Sequence, residues 1–454
     1  METPIKRTET NVHSASFYLK KSDVFCMMPW VHMHSWPDGR VMPCCLGNPD
    51  SPLGHLDDGL KKTWNNEQYK HLRRRMLNNE PTPDQCQRCY TFDKAGTESL
   101  RKTANNRFGH HLPEALAKTD PDGTYHEFKL RYVDFRYSNQ CNLKCRSCCH
   151  ELSSSWHEES VKLYGKKGMP VLIKPKNQHY LEELVEVLPY VESVYFAGGE
   201  PLLQPEHYFL LRKLKEIGNT NVDLSYATNF TKLFSTKYDV LKHWEGFKSI
   251  ELMASVDGTH QRGDLLRKNQ EWDTIVANRR RLMELKPQVG SFRFLVTATL
   301  SAMNAYHLPD IHKEWIDLGL LGPDDLFINP LVTPEYYCAQ ILPRSEKRKV
   351  ERIYRRFVED YLFDAPNAAK RYESALNFIN EEDSSHLLPQ FIEWIQKLDE
   401  SRDERFVEVF PEWKPVFDHV AAGGTWTYPY VFDRSRPFVS AAKIILNKVG
   451  FSNY

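Results

Sequence analysis

Three thiols on one short stretch constrain this chain more than anything else in it. Cys141-Asn142-Leu143-Lys144-Cys145-Arg146-Ser147-Cys148-Cys149 spaces them four and three residues apart. Thiolates this close can converge on three corners of an iron–sulfur cube and leave the fourth iron without a protein ligand. An open metal position suits catalysis, whereas a closed four-ligand site is usually structural. The spacing also fits a zinc knuckle, with Cys149 or His150 as the fourth ligand. Upstream, residues 130–137 alternate apolar and polar side chains, as a strand does; downstream, residues 151–164 read as a helix. The cysteines therefore fall between the first strand and first helix of an α/β unit, at a strand's carboxyl end, where such folds bind ligands.

About fifty residues on, an apolar strand over 191–196 runs into Ala197-Gly198-Gly199-Glu200-Pro201. Two glycines let the backbone approach a ligand closely, and Glu200 offers an acceptor for an amine. In this order and context the pair resembles the radical S-adenosylmethionine (radical SAM) superfamily, whose Cys-x3-Cys-x2-Cys loop and Gly-Gly-Glu motif these residues match. The resemblance implies a [4Fe–4S] cluster on Cys141, Cys145 and Cys148. It implies S-adenosylmethionine on the open iron, with Gly198, Gly199, Glu200 and Pro201 about its amine. The residue before the last loop cysteine is usually aromatic in that superfamily; here it is Ser147.

The chain then repeats one theme. Helices over 205–217, 236–244, 270–285 and 308–318 alternate with strands over 221–228, 249–256, 291–300 and 326–331. Six βα repeats argue for a parallel sheet or partial barrel covered by helices. The resemblance, over roughly residues 128–334, implies the six-unit partial barrel. Polar residues end the strands: Asn229, then Ser255, Asp257 and Gly258 with Arg267 beyond, then Asn304, then Asn329-Pro330. Each alone is an ordinary turn residue. Together they would ring one mouth of the barrel, where ligand groups belong. By resemblance, Ser255 and Arg267 contact the ribose and carboxylate of S-adenosylmethionine, and Asn229 lines the same cleft. Asp257 is expected either to reach substrate or to hold structure.

Residues 1–122 carry a second group: Cys26, Cys44, Cys45, Cys86 and Cys89. Residues 30–36, Pro37-Asp38-Gly39 and Arg40-Val41-Met42 read as strand, turn, strand. That hairpin brings Cys26 near Cys44 and Cys45. Cys86 and Cys89 form a two-thiolate clip, expected on a loop after a helix over 63–78. Adjacent strand residues point to opposite faces, so only one of Cys44 and Cys45 is expected to ligate, and Cys44 is the expected one. His32 and His34 share a strand face; packing or solvation is expected of both. Four thiolates fit zinc as well as an iron–sulfur cluster. The arrangement resembles the SPASM and twitch auxiliary-cluster modules of radical SAM proteins. Those modules carry seven cysteines when they hold two clusters. The five here imply the twitch type, with one auxiliary [4Fe–4S] cluster, or zinc, on Cys26, Cys44, Cys86 and Cys89. Such modules typically follow the core, whereas this one precedes it.

With 60 basic and 60 acidic side chains the formal charge is zero, so nothing global attracts nucleic acid or an anionic membrane. The basic runs 73–75 and 279–281 are expected on solvated helix faces. Residues 1–21 show no apolar signal core, and no stretch is apolar enough to span a membrane. Ten cysteines without a secretory signal read as metal ligands rather than disulfides, which places the chain in a reducing cytoplasm.

Residues 336–454 look mainly helical. Val350, Ile353, Tyr354, Phe357 and Tyr361 form one apolar stripe, and Phe391, Ile392, Ile395 and Leu398 another. Residues 425–437 are aromatic and irregular. Cys338 stands alone; a structural thiol is expected, with a radical-quenching role as the alternative. The expected organisation is an α/β chain: a cysteine-rich module over 1–122, a radical SAM partial barrel over 123–335, and a helical region over 336–454. The resemblance implies reductive cleavage of S-adenosylmethionine to a 5′-deoxyadenosyl radical, which takes hydrogen from a peptide or protein side chain. An electron donor such as flavodoxin or ferredoxin is implied. A nucleoside or sugar substrate, or a non-catalytic metal protein, are the alternatives.

Overall fold

The structure is a computed structural model that describes residues 13–94, 98–165, 167–234 and 239–424. The strands of its main sheet, in chain order, are β1 (His32–Ser35), β2 (Arg40–Met42), β3 (Gly54–His55), β4 (Tyr132–Phe135), β5 (Ser193–Phe196), β6 (Asp223–Thr228), β7 (Ser249–Ser255), β8 (Ser291–Leu300) and β9 (Leu326–Pro330). They form one open sheet in the order β9-β8-β7-β6-β5-β4-β1-β2-β3. From β4 to β9 each strand pairs in parallel with the next. Parallel neighbours need crossover connections; His157–Tyr164 and His179–Val187 lie in the first, and the helices Pro205–Glu216, Val240–Trp244, Trp272–Leu285 and Leu308–Asp317 supply the other four. Along β6 and β7 burial alternates, with Leu224, Tyr226, Leu252 and Ala254 packed on one face. The opposite parity is only half-buried, so the sheet keeps one face partly open. Parallel strands covered on both faces would be buried throughout.

The N-terminal hairpin belongs to this sheet. β1 pairs antiparallel with β2 and parallel with β4, His34 lying opposite both Met42 and Asp134. Its turn closes by Gly39 N–H to Trp36 O (2.9 Å), with Gly39 at φ +96°, a conformation side chains oppose. One apolar core runs through module, sheet and C-terminal helices, joining Trp30, Val133, Leu252 and Phe391.

Several local expectations are corrected. The helix expected over 63–78 is two, Leu60–Trp64 and Glu67–Leu77, because Asn66 caps the second by accepting Tyr69 N–H at 2.9 Å. The helix expected over 151–164 begins only at His157. Ser153 and Ser155 spend their hydroxyls on the carbonyls of Leu143 (2.7 Å) and Cys141 (2.8 Å) and so hold the chain as a turn. A helix at His179–Val187 was not anticipated, although Tyr180, Leu184 and Val187 are spaced for one. Arg73 is not solvated. It is fully buried, donates to Pro29 O (2.9 Å) and Trp64 O (2.8 Å), and lies 4.5 Å over the Trp64 ring. Arg279 likewise donates to Leu320 O and covers Phe294 at 4.0 Å.

The C-terminal helices Arg344–Tyr361 and Leu388–Arg402 bury both apolar stripes except Ile353 and Tyr361, and Val358 takes the inward place. Residues 425–437 lie outside the described residues. Among the described residues no helix is long and apolar enough to cross a membrane.

Candidate active site and metal centres

A cleft of about 670 Å³ opens at the carboxyl ends of the parallel strands. Cys141, Cys145 and Cys148 line it, together with Gly198, Gly199, Asn229, Ser255 and Arg267. Ala227 and Ser255, on the half-open parity of β6 and β7, face the same space. None of the three thiols is in a disulfide. Burial pushes the Cys141 thiol up to about 11 and raises Cys145 and Cys148 as well. A bound metal would therefore have to displace protons to take them as thiolates.

The loop is held from three sides. Trp156 Nε1 donates to Cys145 O at 3.0 Å, and Asn139 Nδ2 to His150 O at 2.7 Å. Lys144–Cys145 also pairs antiparallel with Arg267–Lys268, so Cys145 faces Arg267 across a two-residue ladder. Nothing in the strand pattern announced that ladder. His150 is buried, lies near Val171 O at 3.3 Å and does not line the cleft. Three loop thiols facing one open volume fit a cube with an open iron better than a closed zinc knuckle.

The Gly-Gly turn is pressed against that loop. Gly198 and Gly199 have φ +83° and +59°, and a Cβ on Gly199 would overlap the Gln140 carbonyl. Glu200 N–H donates to the same carbonyl at 2.7 Å. Gln204 Nε2, not anticipated, holds Gly198 O at 2.7 Å.

Glu200 and Pro201 do not line the cleft, which corrects the expectation for their side chains. The Glu200 carboxylate is fully buried and accepts from Thr228 Oγ1 (2.8 Å), Asn229 N–H (2.7 Å) and Leu202 N–H (3.1 Å). It ties the Gly-Gly turn to the end of β6 instead of presenting itself to an amine. Asp257 is likewise structural: it accepts from Arg267 Nη1 (2.7 Å) and Thr299 N–H (2.8 Å). Asn304 caps the same corner through Asp257 O and Thr299 O, and Asn329 lies outside the cleft. Asn229 does face the cleft, its Nδ2 donating to Asn142 Oδ1 at 2.9 Å. Arg267 keeps a buried Nε with no partner. Cys338 is buried away from the cleft.

Cys26, Cys44, Cys86 and Cys89 line one small pocket, walled by Met28, Pro43, Leu46, Met76 and Leu100 with Arg101 beside them. Cys45 is not among them and has Asp134 and Arg136 as charged neighbours. The chain leaves β2 before these residues and turns, with Gly47 N–H on Cys44 O at 2.9 Å. Cys86 and Cys89 sit on the helix Pro83–Lys94, not on a loop; three residues apart, they share its face. Burial pushes Cys86 up to about 11 and raises Cys26 and Cys44 too. Four unpaired thiols from three segments thus line one pocket, the number a closed four-ligand site uses. The hairpin histidines are packed: His32 Nδ1 lies 2.9 Å from Tyr132 O and His34 Nδ1 3.0 Å from Asp134 Oδ2.

Residues 26–90 match the family model described as the SPASM iron–sulfur cluster-binding domain, from the first to the last cysteine of this pocket. Over that span the N-terminal module is similar to a SPASM domain. The core behind it joins a three-thiol loop and a Gly-Gly turn to one end of six parallel strands. The SPASM hairpin contributes Trp36 to the cleft, so the domain borders the site although it precedes the core in sequence.

Several solved structures are similar at low scores. "Native anSMEcpe with bound AdoMet and Cp18Cys peptide" is 19% identical, with a TM-score of 0.34, over 50% of this chain and 57% of that one. Streptococcus suis SuiB bound to S-adenosylmethionine is 14% identical, with a TM-score of 0.36, over 59% of this chain and 56% of that one. TYW1 with a lysine-pyruvate adduct bound is 14% identical, with a TM-score of 0.30, over 48% and 70%. The chain thus spans little more than half of the first two. No curated protein matches the sequence.

Proposed function

We propose that this protein is a radical SAM enzyme whose cleft holds a [4Fe–4S] cluster on Cys141, Cys145 and Cys148, with S-adenosylmethionine beside it. One observation carries the reading: three loop thiols and the Gly198–Gly199 turn share a cleft, packed against each other through Gln140. When bound, cluster and nucleotide supply a reductive cleavage that gives methionine and a 5′-deoxyadenosyl radical able to abstract hydrogen.

The chain's own part is binding, orientation and exclusion of water. Gly198 and Gly199 offer backbone to the amine, where a side chain would not fit. The unpartnered Nε of Arg267 suits the carboxylate. The Ser255 hydroxyl stands at the strand end for the ribose, and Asn229 borders the same space. Trp36, Tyr164, Tyr336 and Tyr337 make the outer wall. That aromatic wall and the attached SPASM domain support a peptide or protein side chain as substrate. The SPASM pocket, on Cys26, Cys44, Cys86 and Cys89, holds an auxiliary cluster in this reading. A flavodoxin or ferredoxin would supply the electron.

The test is anaerobic reconstitution with iron and sulfide, then S-adenosylmethionine and dithionite. Deoxyadenosine and methionine are expected from the wild type and not from Cys145→Ala. A fully iron-loaded wild type that makes neither would leave a non-catalytic metal protein.

A further inference from the structure

The C-terminal helices bring a network of charge to the cluster loop, its arginines buried or nearly so and its two lysines partly exposed, which binding of a cluster alone does not require. Arg402 ends the helix Leu388–Arg402 and donates to Glu159 through Nε (3.2 Å) and Nη2 (2.7 Å). Its guanidinium carbon lies 4.9 Å over the Trp156 ring, and Trp156 is the residue that holds Cys145 O. The Arg402 side chain is 1% exposed, and its Nη1 has no partner.

Arg146, inside the loop, is fully buried, with Nη2 between Asp399 Oδ1 (2.5 Å) and Glu404 Oε2 (2.6 Å) and with Nε and Nη1 unpartnered. Lys144 meets Glu159 at 2.9 Å and Lys268 meets Glu404 at 2.8 Å. With Arg267 and Asp257 added, five cations face four anions. Buried guanidinium donors left unmade are costly unless an anion arrives to use the field. A cube on three thiolates is such an anion, and more so when reduced.

We propose that Arg402 tunes the loop cluster from outside the βα core, favouring its reduced state and raising its midpoint potential, while Glu159 holds the guanidinium and moderates it. This rests on the reading that Cys141, Cys145 and Cys148 hold a cluster. Arg402 is a positioning residue: it acts through Trp156 and through charge.

The experiment is a dithionite potentiometric titration, followed by EPR, of the anaerobically reconstituted full chain. Wild type is compared with Arg402→Gln, Arg402→Lys and Glu159→Gln. The potential of the signal that depends on Cys145 should move negative in Arg402→Gln and return toward wild type in Arg402→Lys. It should move positive in Glu159→Gln, with iron per chain unchanged throughout. No shift, or shifts of one sign in Arg402→Gln and Glu159→Gln, would mark packing alone and overturn the proposal. Should Arg402→Gln not fold, the sign in Glu159→Gln decides. A wild type without Cys145-dependent iron overturns the underlying reading and this inference with it. A loop cluster indifferent to both charges overturns this inference alone.

Discussion

The two cysteine sites are built on opposite plans. The loop site takes three thiols from one stretch of chain and leaves them facing a cleft of about 670 Å³. The SPASM site takes four thiols from three stretches and shuts them in with methionine, proline and leucine. Around the loop, charge is dense and its arginines are buried or nearly so; around the SPASM pocket, Arg101 is the cation among the lining residues. It is already spent on Asp93 and the carbonyls of Ser22 and Phe25. In the proposed reading, three thiols beside open space leave room for a second molecule, whereas four in an apolar wall would staple the chain or pass electrons. The difference lies in ligand count and in what surrounds the sulfurs, since every thiol in both sets is raised by burial.

The comparison breaks most visibly at the loop. Cys145→Ala should cut deoxyadenosine formation by about a thousandfold or more, since the cofactor carries the chemistry. Iron at the SPASM site should stay. Cys44→Ser should do the reverse and remove about half of the iron, about four of eight atoms per chain. Cys45→Ser, outside the pocket, should remove none. Iron analysis of the three variants sorts the ligands, and equal losses from Cys44→Ser and Cys45→Ser would erase the assignment. Gly199→Ala comes next. Its φ of +59° and the Gln140 carbonyl both oppose a side chain. The strain is about 1–3 kcal/mol, and S-adenosylmethionine should bind about tenfold weaker by calorimetry, for which 1.4 kcal/mol suffices.

The smallest effect concerns the seam between the two regions. Burial pulls His32, in the SPASM hairpin, down to about 4, His207 down to about 3 and His312, in the core, down to about 4. All three are neutral when folded and titrate near 6.5 when unfolded. The unfolded chain therefore binds protons first, and stability present above pH 6.5 is lost as pH falls toward 4. By pH 5 each contributes a loss of up to about 2 kcal/mol. Urea unfolding of the metal-free chain should weaken from pH 7 to pH 5 in one transition, because hairpin and core share a sheet. Two separate transitions would show the SPASM domain to be an independent unit.

What the sequence made legible was whatever repeats or clusters locally. Strand β8 spans Ser291–Leu300, the bounds read from the sequence, and the Pro37-Asp38-Gly39 turn closes the hairpin as expected. The loop cysteines and Gly198–Gly199 meet in the cleft. What stayed hidden depends on distant partners. Arg73 reads as one of three solvated arginines until the Pro29 and Trp64 carbonyls reach it. Glu200 reads as a ligand acceptor until Thr228 and Asn229 occupy it. Arg402 and Glu159 stand 243 positions apart, so no spacing rule joins them. The helix under Cys86 has one local signal, Pro83 at its start, and its run of polar residues otherwise resembles a loop.

The most direct test is EPR of the reconstituted, dithionite-reduced chain with and without S-adenosylmethionine. An open iron in the cleft predicts that one signal changes on addition and disappears in Cys145→Ala, while a second, absent in Cys89→Ala, does not respond. A spectrum indifferent to S-adenosylmethionine, or a response that survives Cys145→Ala, would contradict the account.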